Sequence, residues 1–213
     1  MDNAYEIVKM FERRVAAHFG CDYGIAVDCC TTAIFLSVKY RQRERNGQDF
    51  NPLYAEIPRR TYISVPFALR RCGLIVRTED YPWNGYYHIK PWGVVDAAKL
   101  WIDAKAATHN AQDLLWCVSF HYKKPIPIGR GGMILTSSKS AESWIKKARY
   151  DGRAGVPYPE EQITEPGWHS YMTPEQAARG LALMDTYPEG VRPRYDEDYP
   201  DLEKFRNAID EAK

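Results

Sequence analysis

The sequence predicts an α/β fold: a mostly parallel mixed sheet flanked by helices, with a minimal helical appendage at the C-terminal end. Three observations carry this reading. Through about the first 150 residues, short apolar runs alternate with amphipathic stretches, the pattern of strands joined by crossover helices. Several of the runs are almost continuously apolar, as strands covered on both faces are. The chain has 213 residues, 45% of them hydrophobic and 13% aromatic, which suffices for one large domain and excludes disorder as the main state.

Each element follows in order. Residues 4–19 read as a helix, because Ile7, Val8, Phe11, Val15 and Phe19 recur near the 3.6-residue period; Gly20 ends it. YGIAV (23–27) is a strand, and DCCTTA turns into a second helix from Thr32 to about Arg45. YAEIP (54–58) is a strand. A third helix has Ser64 as N-cap and Pro66 near its first position, and ends at Gly73. LIVRT (74–78) is a strand. Residues 79–92, rich in turn formers and aromatics, read as a loop.

A short strand in GVVDAAK ends at Asp96, and residues 97–113 are ambiguous. LLWCVSF (114–120) suits a buried strand, residues 121–132 a loop, and MILT (133–136) another strand. Residues 140–149 form a helix, and residues 150–171 are loop. At TPEQAARGLALM a capping box opens a further helix, with Thr173 as N-cap, Pro174 at N1 and Gln176 at N3. A last amphipathic helix carries Leu202, Phe205, Ile209 and Ala212. No repeat and no linker precedes about residue 187, so residues 1–187 are read as one domain and 188–213 as a short appendage.

Charge narrows the function classes. The formal net charge is +1, so the basic surplus of a nucleic-acid or anionic-membrane binder is missing. No apolar run approaches the ~20 residues of a membrane helix. The N-terminal stretch is acidic and amphipathic, without the apolar centre of a secretory signal. Five cysteines, Cys21, Cys29, Cys30, Cys72 and Cys117, form no CxxC pair. This argues for no metal site, no disulfide framework and a reducing, cytoplasmic setting.

In such sheets, ligands collect beyond the carboxyl ends of the strands. Three segments put polar groups there. VDCCTTA opens a helix directly after a strand, so its first N–H groups, with Thr31 and Thr32, suit a phosphate; plain capping by threonine is the alternative. GVVDAAK ends a strand on Asp96, which suits a cation or a protonated ring nitrogen, or a helix cap. SFHYKKPIPIGRGGMIL leads two lysines out of an apolar strand into a glycine loop. A lysine against apolar walls loses its proton more readily and becomes a nucleophile or base; a solvated basic turn is the alternative. A dinucleotide-binding domain is disfavoured, because no GxGxxG follows the first strand.

Taken together, these segments resemble the DegT/DnrJ/EryC1/StrS aminotransferases, the sugar aminotransferases that use pyridoxal 5′-phosphate (PLP). Ser119, Phe120, Lys124, Gly131 and Gly132 match the family's lysine segment, and VVDAAK matches its acidic segment. RTYISVPFALRRCG is similar to its segment with a stacking aromatic, and FERRVAAHFGCDYGIAVDCCTTAIFLSV to its opening helix, strand and phosphate turn. YDGR and GWHSYMTPEQAARGLALM are similar to the segments after the lysine. The resemblance covers about residues 8–187.

It implies the large domain of a fold-type I PLP-dependent transferase. It also implies Lys124 as Schiff-base lysine and general acid–base, and Asp96 as partner of the pyridine nitrogen. Tyr62 would stack on the ring, Thr31, Thr32 and Ser119 would hold the phosphate, and Cys30, Lys99, His121 and His169 would border the cofactor. The implied reaction moves an amino group, from L-glutamate, to a keto sugar linked to a nucleotide, in a cytoplasmic homodimer with shared active sites. Relatives with His at the lysine position dehydrate sugars instead, and Lys124 favours transamination.

Three departures accompany the resemblance. The family's Gln or His after Asp-Ala-Ala is Lys99. Its G-x-N-Y-R-M reads Gly167, Trp168, His169, Ser170, Tyr171, Met172, which removes the Arg charge. The family chain is longer, with a C-terminal small domain, and its counterpart of 79–92 is longer too. A catalytically impaired PLP-binding or partner subunit is therefore the alternative, which Lys124 and Asp96 oppose.

Overall fold

The computed structural model describes residues 4–48, 51–101, 104–108, 113–186 and 199–212. Five strands form one mixed sheet: β1 (Tyr23–Val27), β7 (Gly132–Thr136), β6 (Leu115–Ser119), β5 (Val94–Asp96) and β4 (Tyr87–Ile89), in that order across the sheet. β2 (Tyr54–Pro58) and β3 (Ile75–Glu79) form a parallel pair. A bridge of two hydrogen bonds between Glu56 and Lys90 carries the layer on from β4 to β2.

Strand direction corrects the mostly parallel reading. In the larger sheet only β5–β6 is parallel; β1–β7, β6–β7 and β4–β5 are antiparallel. The reason lies in the connections. β6 returns as β7 through loop 120–131, and β4 turns into β5 through residues 90–93, with no helix between either pair. Residues 79–92 are a second correction, since they contain β4, where Tyr87 and Ile89 are buried and His88 is exposed.

Helices cover both faces. On one lie α1 (Glu6–Phe19), α4 (Ala104–Thr108) and α6 (Pro174–Thr186), over Ala26, Val95, Trp116, Val118, Met133 and Leu135. On the other lie α2 (Cys30–Glu44), α3 (Ser64–Arg71) and α5 (Lys139–Ala148), over Ile25, Val27, Val94, Cys117 and Ile134. Adjacent strand residues thus serve opposite cores, which explains the continuous apolar runs. Gly20 caps α1 at φ 69°, a left-handed conformation that glycine adopts without a Cβ clash. Thr173 and Gln176 form the reciprocal capping box, at 3.0 and 3.4 Å. Ser64 does not cap α3; it is the helix's first residue, and its hydroxyl meets Thr31.

Leu202 and Ile209 are fully buried in the core that contains α3. They belong to a short 3₁₀ turn (Leu202–Phe205) followed by α7 (Arg206–Glu211). Arg70 donates to the carbonyls of Asp210 and Ala212, at 2.6 and 3.3 Å, which fixes the end of α7 on α3.

Gly132 sets how closely α2 approaches the sheet. A Cβ there would lie 2.4 Å from the Cys29 carbonyl carbon and 2.5 Å from the Cys30 nitrogen, both backbone atoms. Gly132→Ala is therefore expected to push the start of α2 outward and destabilise the protein by about 1–3 kcal/mol. A lowered urea midpoint checks this; an unchanged midpoint would mean that the start of α2 yields freely.

Candidate active site

β5, β6 and β1 run in one direction, so Asp96, Ser119 and the start of α2 arrive at one edge of the sheet. Asp96 ends β5 and is buried. One carboxylate oxygen accepts from the Tyr87 hydroxyl at 2.7 Å, the other from the Ala98 N–H at 2.9 Å. Tyr87 has one proton to give, so Thr61, at 2.8 Å, donates to the Tyr87 oxygen in turn. Burial pushes the Asp96 carboxyl above its ordinary pKa, and these two hydrogen bonds, with the charges of Lys124 and Lys99, pull it back.

Lys124 follows β6 in a turn closed by its N–H on the His121 carbonyl at 2.8 Å. Buried Ile126 and Ile128 pin the loop to the α1 face of the sheet. The Lys124 side chain is half-buried, and burial lowers its pKa against the opposing pull of Asp96. Its neighbour Lys123 is exposed. Lys99 is buried, with its ammonium over the rings of Trp83 and Tyr199 at 4.8 and 4.5 Å, so it is not the solvated lysine that a surface turn would carry.

The start of α2 supplies the third corner. Its N-cap, Cys29, makes no side-chain cap bond to the helix. Thr31 Oγ1 lies 2.6 Å from Ser64 Oγ, and Thr32 Oγ1 lies 3.2 Å from Cys29 Sγ. Cys30 turns its thiol to the Cys117 carbonyl at 3.5 Å, and burial near Asp96 raises its pKa well above the ordinary value. Ser119 is buried and accepts from the His121 N–H at 3.3 Å. His121 is itself exposed, its pKa lowered by partial burial and the two lysines. Arg130 meets one oxygen of Asp28, the residue before Cys29, at 2.6 Å.

Tyr62 is 57% exposed and close enough to Tyr199 to act on its phenol, so its ring stands open at the border of this cluster. His169 pairs with Asp151 at 2.8 Å and packs edge-on to Tyr171, beside β1. The rings that do border Asp96 and Lys99 are Tyr87, Trp83 and Tyr199, which sequence reasoning missed. Trp83 meets Tyr87 at 4.8 Å and Tyr199 at 5.8 Å. The aromatic density of residues 81–92 was the available signal. Against it lies a cavity of about 420 Å³, lined by Trp83, Asn84, Tyr87, His88 and Lys90 among others.

A buried acid, a half-buried lysine and a helix start with hydroxyls around it match the needs of an aromatic aldehyde phosphate: a partner for its ring nitrogen, an amine for its aldehyde, N–H donors for its phosphate. The fold is one shared with solved PLP-dependent aminotransferases. It superposes on the DegT DnrJ EryC1 StrS aminotransferase of Brucella abortus with TM-score 0.63 and 15% identity, covering 85% of this chain and 58% of that one. Against Helicobacter pylori PseC, an aminotransferase of pseudoaminic acid biosynthesis, the values are 0.62, 16%, 85% and 58%. NtdA of Bacillus subtilis, solved with bound cofactor PMP, gives 0.62, 17%, 84% and 47%. This chain thus spans less than two thirds of their length. The stretch 107–197 matches the model of the DegT/DnrJ/EryC1/StrS aminotransferase family, the family that the lysine segment resembles. No curated protein sequence matches the chain.

Proposed function

We propose that this chain is a PLP-dependent aminotransferase that moves an amino group from an amino acid, L-glutamate in the simplest reading, to the keto group of a nucleotide-linked sugar. The observation that carries the reading is the meeting of Asp96, Lys124 and the start of α2 at one sheet edge. Residues 1–187 are proposed as the cofactor-binding unit and 188–213 as an appendage, acting in a cytoplasmic homodimer with shared active sites.

Each residue has a task in this reading. Lys124 would carry the cofactor covalently; once released, its half-buried amine gives and takes the proton at the reacting carbon. Asp96 would hold a positive charge at the ring nitrogen, and Tyr87 with the Ala98 N–H aims its two oxygens. The N–H groups of α2's first turn, with Thr31, Thr32 and Ser119, would hold the phosphate. When bound, the ring supplies an electron sink for a carbanion. Lys99, fixed over Trp83 and Tyr199, adds positive charge beside Asp96. The cavity at Trp83 and Lys90 offers flat apolar faces and a cation, which suits a sugar carrying phosphates.

Asp96→Asn tests this. The amide keeps the shape, accepting from Ala98 and donating to Tyr87, but loses the charge. Turnover of glutamate is expected to fall on the order of 10²-fold or more with the fold intact by circular dichroism. Unchanged turnover would show that Asp96 holds no ring nitrogen.

A further inference from the structure

The segment after residue 198 returns to the candidate site. Arg59 grips both carboxylate oxygens of Asp201 at 2.8 and 2.6 Å, and the Leu202 N–H donates to the Arg59 carbonyl at 3.0 Å. With Leu202 and Ile209 buried, this anchor fixes the chain two residues beyond Tyr199. Tyr199 then lies nearly parallel to Trp83, at 16°, with the Lys99 ammonium over both rings. Its hydroxyl is 3.5 Å from Lys124 Nζ, which donates to it.

We propose that Tyr199 is a positioning residue for Lys124: its hydroxyl holds the Nζ ammonium, and its ring walls that group from water. This rests on the reading of Lys124 as the reactive amine. Burial, with the charge of Asp96, keeps the phenol protonated throughout the ordinary pH range, so the hydroxyl stays a neutral acceptor. Hydroxyl and ring act in opposite senses. The accepted hydrogen bond favours the charged lysine; the excluded water favours the neutral one. Asp96 from β5, Cys30 from α2, Lys123 and His121 from the loop itself, and Lys99 and Tyr62 beside Tyr199 are the titratable groups around the pair.

The test is competitive acetylation of the cofactor-free protein with acetic anhydride across pH, read lysine by lysine by peptide mass spectrometry. Tyr199→Phe keeps the wall and removes the acceptor. The Lys124 midpoint is expected to fall, leaving about three- to tenfold less ammonium relative to amine at a given pH, as for the loss of one ordinary hydrogen bond. Tyr199→Ala opens the wall as well, and the midpoint is expected to rise above that of Tyr199→Phe toward the ordinary lysine value. Exposed Lys123 serves as the internal reference. A Lys124 midpoint that stays or rises in Tyr199→Phe overturns the proposal, and so does one that falls equally in both variants. No cofactor enters this measurement. If borohydride trapping at Lys124 fails while the midpoints move as expected, the aminotransferase reading falls and the Lys124–Tyr199 pair stands.

Discussion

Lys124→Ala is expected to abolish covalent capture of the cofactor: borohydride, which should fix it to the parent protein, leaves the variant unmodified. Turnover should fall by about 10²–10⁴-fold, the contribution of a positioned acid–base group. Lys123→Ala should retain both. One residue apart, the two lysines live in different media. Lys123 is exposed, its ammonium 5.8 Å from the Tyr122 ring. Lys124 is half-buried, in the field of Asp96 and Cys30, and its pKa is depressed by burial. A neutral amine has the lone pair that attack on a carbonyl needs. Since the Lys124 pKa is lowered, its amine form appears at lower pH than for an ordinary solvated lysine, so capture should persist to lower pH than for a surface lysine. Capture at Lys123, or at Lys99, in the Lys124→Ala protein would overturn the assignment.

Arg149→Met is expected to be the costliest change outside the site. Glu12 of α1 is 3% exposed, yet carries a carboxylate into the core beside β1. Its Oε1 accepts from the Ala26 N–H at 2.9 Å and from Arg149, which also donates to the Ala26 carbonyl. Removing the guanidinium leaves a buried charge with one amide partner, at a cost of about 3–5 kcal/mol. In a chain of this size that lowers the thermal midpoint by roughly 10 °C. The Glu12→Gln/Arg149→Met double variant should recover much of the loss, because the orphaned charge has gone. A single variant as stable as the parent would show that Glu12 finds water or another cation.

Much of the architecture was legible because it rests on local signals. β1, β2, β6 and β7 stood out as apolar runs, and α6 announced itself by Thr173 and Gln176. β4 did not, since three residues with Tyr87 and Ile89 inward are too short for a period to emerge among turn formers. Strand direction was also hidden. Alternation of strand and helix predicts crossovers, whereas β6–β7 and β4–β5 turn back without one. At the site, Asp96, Lys124 and the α2 start were visible as strand-end and helix-start chemistry. Trp83, Tyr87 and Tyr199 were not, because ring-to-ring contacts across 83–199 leave no mark on spacing.

The place of β7 between β1 and β6 bears on how the protein is made. Among the described residues, and apart from a single bridge from Val27 to Tyr171, β1 pairs only with β7, whose residues lie more than 100 positions further along. At ordinary translation rates β1 therefore leaves the ribosome roughly 5–20 seconds before its partner exists. Until then it is an unpaired, wholly apolar strand edge, the kind of surface that sticks to other nascent chains or is shielded by a chaperone. The start of α2 cannot settle before Gly132 arrives beneath it. The corner proposed to hold the phosphate is thus assembled late, and Tyr199 joins it last.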